Sequence, residues 1–268
     1  MIKKFNAFLE RLKYTNTYSK YTIRLILPIL NIRKRKRVDY ALSIEDALKN
    51  FETLNVLGSG PSLNKCNFNK DELYVTTNSS YLSLSNAHSF VHIIRDGGYL
   101  KQFLMFGLKY KPKLLIVESL YTDKAPLTHI ANYGVQALKK YLGRRKFDYP
   151  ILITGGKPFP YLEFNDSYIL KNQFLKDNNL QWHDSNSGIT IYSYAIWWAN
   201  IYGHIKNINV YGIDAGQGGE VYFNGQKTKS DHVAMKDLNK SKMGVFFDNC
   251  QAKYKFIQNY SYFKNNVD

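Results

Sequence analysis

From residue 51 onward the chain alternates short apolar runs with polar or glycine-bearing breaks. Leu54-Asn-Val-Leu57 leads into Gly58-Ser-Gly-Pro-Ser-Leu63, Leu73-Tyr-Val-Thr-Thr77 stops at Asn78, Phe90-Val-His-Ile-Ile94 stops at Arg95-Asp96, and Leu114-Leu-Ile-Val117 stops at Glu118. Pro150 to Thr154 and Ile208 to Tyr211 repeat the pattern, the second running into Gly212-Ile-Asp214. Apolar runs that turn polar at their C-terminal ends predict parallel strands whose far ends carry the site. Gly188 to Tyr202 predicts a buried helix, and helical spacing continues beyond His232 through Phe246, Phe247, Tyr254 and Ile257. Alternating strands and helices predict an α/β fold, a single doubly wound, Rossmann-like parallel sheet over residues 51–268.

Residues 1–50 follow another rule. Phe5, Phe8, Leu9 and Leu12 recur at helical spacing with Lys3, Lys4, Arg11 and Lys13 between them, and the apolar run Ile23 to Ile32 ends in Arg33-Lys-Arg-Lys-Arg37. That run is shorter than the roughly 20 uncharged residues a bilayer span needs, and its basic cluster lies on the wrong side for a secretory signal. A basic amphipathic helical segment lying on an anionic membrane surface through residues 1–40 is expected, with apolar insertion and lipid attraction adding together. The same pattern also suits an amphipathic helix packed on the domain with a solvated charge run.

Charge narrows the partners. The 268 residues carry 37 basic and 21 acidic side chains, a net charge of +16, which calls for an anionic neighbour or substrate. Nucleic acid is not the expected one, because the 22 tyrosines and the basic residues are scattered and match no RNA- or DNA-reading motif. Two cysteines, Cys66 and Cys250, form neither a disulfide framework nor a zinc motif and are expected to be idle thiols.

Three constellations carry chemistry. In Gly58-Ser-Gly-Pro-Ser-Leu63 the glycines let a backbone approach a ligand and the exposed amides suit a phosphate, although this is neither a Walker loop nor a full dinucleotide fingerprint. Asn186-Ser-Gly-Ile-Thr190 opens the long apolar helix, where Ser187 and Gly188 present first-turn donors to a nucleotide or serve as an ordinary cap. Tyr211-Gly-Ile-Asp214 precedes a glycine-rich loop that reaches Tyr222 and then His232, one of six histidines. A tyrosine hydroxyl there can meet a departing phosphate, and a histidine can take a proton from a hydroxyl.

In order and spacing these motifs resemble the bacterial sialyltransferases of glycosyltransferase family 42, whose pattern runs G-N-G-P-S-L, C-N, T-S-G, S-G-I-D-F-Y, a second tyrosine and a histidine. The resemblance covers about residues 54 to 235. It implies a glycosyltransferase-A-variant sheet and a donor site of Gly58, Ser59, Gly60, Asn78, Arg95, Asp96, Ser187, Gly188, Gly212 and Asp214, with Tyr222 on the leaving phosphate and His232 as base. The chain departs from the pattern at Ser59 for asparagine, Asn186 for threonine, Gly216 for the first tyrosine, and Arg95-Asp96 for an asparagine after the third strand. A looser resemblance joins it to the wider group of G-x-G-P-S-L proteins, which includes nonulosonate transferases and pterin pyrophosphokinases, and transferases of Kdo are relatives in mechanism.

The function these resemblances imply is inverting transfer of sialic acid or a related acidic sugar from a CMP-activated donor to a glycan acceptor. It would take place at the cytoplasmic membrane face, without a cofactor or a required metal. A Kdo transferase, a pterin pyrophosphokinase and a non-catalytic lipid-surface protein remain the alternatives, and a homo-oligomer is compatible with all of them.

Overall fold

The computed structural model describes residues 40–95, 99–100, 102–103, 107–119, 149–155, 167–180, 187–214, 222–226 and 236–262. The basic arm over residues 1–39, Asp96, Gly216 and His232 lie outside them. Seven strands form one sheet: β1 (Thr53–Leu57), β2 (Leu73–Thr77), β3 (Ser89–Ile94), β4 (Leu114–Ser119), β5 (Ile151–Gly155), β6 (Asn207–Tyr211) and β7 (Ile257–Asn259). Every pair is parallel, in the order β5-β4-β3-β2-β1-β6-β7. The expected α/β fold with a parallel sheet is present, and each predicted strand falls within two residues of an observed one. β7 was not expected: Ile257 opens this strand and pairs with Ile208, rather than continuing the helix.

Among the described residues, α1 (Tyr40–Leu48), α2 (Ser167–Asp177), α3 (Ser187–Ile201) and α4 (Lys236–Lys253) are the longer helices that accompany the sheet. All four give buried residues to one side. Leu54, Val56, Val75, Ile93 and Ile116 of the sheet pack there with Ile44 and Leu48 of α1, Leu175 of α2, Ile191 to Trp198 of α3, and Phe246 and Phe247 of α4. Alternation along the strands puts these residues on a single face. α3 is apolar all round because it is covered on both sides, and Tyr192 stacks on Phe247 with centroids 4.7 Å apart. The core therefore reaches back to Ile44, ahead of the boundary drawn at residue 51.

The opposite face is closed by tight turns. Leu57, Tyr74, Phe90 and Leu115 lie under Leu63 and Tyr81, carried by the 3₁₀ turns Pro61–Lys65 and Ser80–Ser83. His92 is buried here with its ring centroid 4.5 Å from that of Phe103, and burial lowers its pKa from the ordinary value to about 3. Among the described residues no helix is long and apolar enough to cross a membrane.

Candidate functional site at the C-terminal rim

The strand order locates a crevice. From β1 the chain builds outward through β2 to β5, then returns to place β6 on the other flank of β1, so β1 and β6 are neighbours whose connections leave in opposite directions. In open parallel sheets that switch point, at the C-terminal ends of the strands, is where ligands bind. The loops after β1 and β6 are the glycine motif and the Gly-Ile-Asp motif, so the topology brings together two motifs about 150 residues apart in sequence.

The two loops are clasped. Gly58 N–H donates to the Tyr211 carbonyl at 2.8 Å, and Gly60 N–H donates to the Gly212 carbonyl at 2.8 Å. A Cβ on Gly58 would lie 2.2 Å from the Gly212 oxygen, and one on Gly212 would lie 2.4 Å from the Gly58 oxygen, while Gly212 holds φ +69°. These glycines are thus required by the contact of one loop with the other, and only through that contact by any ligand. Asp214 completes the clasp and is 3% exposed. Its carboxylate accepts the Ser62 N–H at 2.8 Å, the Ser62 hydroxyl and the Tyr262 N–H at 2.8 Å, while the Ser62 Oγ accepts the Gly212 N–H at 2.8 Å. Asp214, expected as a donor-binding group, has its oxygens committed to the loops themselves.

A short turn sits on this clasp. Phe223 N–H donates to the Ser59 carbonyl at 3.0 Å, and Asn64 Nδ2 donates to the Phe223 carbonyl at 3.1 Å, bringing half-exposed Tyr222 to the crevice. Next along the rim, Asn78 ends β2 with φ +51°, a conformation that asparagine tolerates and most side chains avoid. Ser80 holds it there, its Oγ accepting the Thr77 N–H at 3.0 Å and donating to the Thr77 carbonyl at 2.8 Å. The Oδ1 of Asn78 and the Oγ1 of Thr77 are buried without a hydrogen-bond partner. Ser79 Oγ reaches Ser59 Oγ at 3.4 Å, joining Asn78's loop to the glycine loop.

Farther along, the rim is charged. Glu118 of β4 is 1% exposed, with Lys171 Nζ of α2 3.0 Å from Oε2 and Arg95 Nε 3.0 Å from Oε1. The Arg95 contact is off the hydrogen-bond axis and is an ion pair. Arg95 also donates from a terminal nitrogen to Thr190 Oγ1 at 2.6 Å, which ties it to the first turn of α3 near half-exposed Ser187 and Gly188. Lys171 Nζ lies 4.4 Å from the ring centroid of Tyr194. Burial alone would raise the Glu118 pKa, but Lys171 and Arg95 outweigh it and hold the carboxyl below its ordinary value. Burial, and then the neighbouring Glu118 charge, push the Tyr194 phenol well above its ordinary value.

Of the residues singled out in the sequence, Gly58, Ser59, Gly60, Gly212, Asp214 and Tyr222 converge on the crevice, and Asn78 adjoins them. Arg95, Ser187 and Gly188 form a second group joined through Thr190. The proposed base His232 and Asp96 fall outside the described residues. Ser62, Lys171, Thr190 and Tyr194 were given no role in the sequence, and Glu118 appeared only as a strand end. No family model, curated protein or solved structure matches the chain, so the resemblance rests on the motifs themselves.

Proposed function

We propose that the chain is an inverting glycosyltransferase of the Rossmann-like, glycosyltransferase-A-variant kind that takes an acidic sugar from a CMP-activated donor. The observation that carries the reading is the meeting of Gly58-Ser-Gly-Pro-Ser-Leu63 and Gly212-Ile-Asp214 at one topological switch point, with Asn78 beside it carrying a buried oxygen that meets no donor among the described residues. In this reading Asp214 and the glycines shape the crevice, while Ser59, Asn78 and the first turn of α3 hold the nucleotide. The acceptor hydroxyl loses its proton to His232 as its oxygen bonds to the anomeric carbon. The bond from that carbon to the phosphate oxygen breaks, and the electron pair leaves with CMP, where Tyr222 stabilises the growing charge. The acceptor is a cell-surface glycan, and the basic arm keeps the enzyme at the cytoplasmic face of the membrane.

The test is a thermal shift with CMP, CDP, ATP and GTP, each with and without magnesium, followed by turnover of CMP-sialic acid and CMP-Kdo. Stabilisation by CMP without metal is expected, by mass action on the native state. His232→Ala should lower turnover roughly 10²- to 10⁴-fold with little change in CMP affinity. Stabilisation by ATP with magnesium and none by CMP would overturn the reading in favour of a pyrophosphokinase.

A further inference from the structure

The rim holds a cluster that a nucleotide site alone does not require. Arg95, 8% exposed, and Lys171, 3% exposed, both face Glu118, so among the described residues two buried cations meet one buried carboxylate. Buried charges are expensive unless balanced, and a surplus cation in such a place lowers its own cost when an anion arrives. Three further features point the same way. Thr190, which accepts from Arg95, belongs to the first turn of the 15-residue α3, the positive end of the helix dipole. Thr77, 2% exposed, has an unpartnered Oγ1 and lies on the same sheet face as Arg95 and Glu118. That face is the one α3 covers. Arg95 follows β3 and stands two strands from β1, about 10 Å along the rim from the glycine loop at the usual strand spacing.

We infer that Arg95, positioned by Glu118 and Lys171, is the subsite that recognises the carboxylate of the transferred sugar, and that this cluster makes the site selective for acidic sugars. The inference rests on the CMP-sugar reading and names what that reading leaves open, the group that separates acidic from neutral sugars. A guanidinium suits the task because its three nitrogens divide the work: Nε faces Glu118, one terminal nitrogen donates to Thr190, and the other terminal nitrogen is left to donate to a second carboxylate. Lys171 and Glu118 touch no substrate in this arrangement and are positioning residues. Glu118 sets the direction of the fork, and Lys171 supplies the charge that keeps Glu118 from cancelling Arg95. Burial, the largest cause, and the Arg95 charge lower the Lys171 pKa while Glu118 raises it, and the balance lies below the ordinary value.

Three ligands test it on the full chain by calorimetry: CMP, an unreactive fluorinated analogue of a CMP-activated sialic acid, and the C1 methyl ester of that analogue. The wild-type protein should bind the free acid at least tenfold more tightly than the ester. Arg95→Met should bring acid and ester together while leaving CMP affinity within about twofold. Lys171→Met should narrow the acid-to-ester gap without touching CMP, a split that a merely structural role would not produce. Arg95→Lys keeps the cluster's charge and is the second variant should Arg95→Met not fold; it should bind the acid more weakly than wild type while still preferring it to the ester. Equal binding of acid and ester by wild type, as an internal counter-ion such as Asp96 would cause, overturns the inference and leaves the transferase reading standing. Failure of CMP itself to bind overturns both.

Discussion

Two buried carboxylates stand at the C-terminal rim and are satisfied in opposite ways. Asp214 is met by neutral donors, two backbone amides and a serine hydroxyl, all from loops that it holds together. Glu118 is met by cations from β3 and α2. Neutral donors spread the charge of a carboxylate over many dipoles but bring no charge of their own, so Asp214 keeps its single negative charge with its oxygens occupied, and the clasp acts as architecture. Cations overcompensate, so among the described residues the Glu118 cluster carries a net positive charge. A fold can thus place one carboxylate among neutral loop donors to fix shape and another, four strands along the sheet, among cations that set the local charge.

The strongest way to break this contrast is at the clasp. Gly212→Ala should destabilise the protein by more than about 4 kcal/mol, because the new methyl meets the Gly58 carbonyl in a backbone conformation that alanine resists. The urea midpoint would measure it, and a midpoint close to wild type would mean that the loops can separate freely.

The next effects compare the carboxylates directly. Glu118→Ala leaves two buried cations facing each other and should cost about 3–5 kcal/mol, the usual penalty for breaking a buried pair. Asp214→Asn leaves one acceptor in place and turns an amide toward donors, costing about 1–3 kcal/mol. Denaturant unfolding of both variants settles the order. A larger loss for Asp214→Asn would show that the closed clasp, rather than the charged cluster, has the greater demand for its carboxylate.

The effect that is smallest at neutral pH is a pH slope. His92 is buried neutral, with a folded pKa of about 3, so between that value and its ordinary 6.5 the unfolded chain binds a proton that the folded chain refuses. Its contribution is whole above pH 6.5 and falls as pH drops toward 3, by up to about 1.4 kcal/mol per pH unit. His92→Phe keeps an aromatic ring beside Phe103 and should flatten that part of the profile of melting temperature against pH. An unchanged slope would assign the acid sensitivity to the rim carboxylates instead.

Much of the sheet was legible because its strands are mostly buried on both faces and read as short, mainly apolar runs that end at polar residues, even where Asn55 or Asn209 interrupts them. β7 was not, since three residues are too few to establish a period and Ile257 also fits the helical spacing from Phe246. The clasp was half legible. Its motifs stood out, but glycines and an aspartate that serve each other look in one dimension like glycines and an aspartate that serve a ligand. Lys171 was hidden for a sharper reason. α2 buries Ser167, Lys171 and Leu175 while Ile169 is 52% and Leu170 55% exposed, so two of its apolar residues lie on the outer face and Lys171 on the inner one. Hydrophobic patterning cannot find a residue whose burial depends on a carboxylate presented by another strand.

The clasp has a consequence for the order in which the molecule assembles. Ser62 and Asp214 are 152 residues apart, and Ser261 and Tyr262 then accept and donate at Ile213 and Asp214 across a further 48. Strands β1 to β5 can zip together as successive neighbours, whereas the crevice must wait for the chain to return. Closing so long a loop is entropically slow, and contacts of this separation set the pace of folding. Refolding followed by far-ultraviolet dichroism should therefore run ahead of amide-hydrogen protection at Ser62 and Gly212, the sheet forming while its crevice is still open.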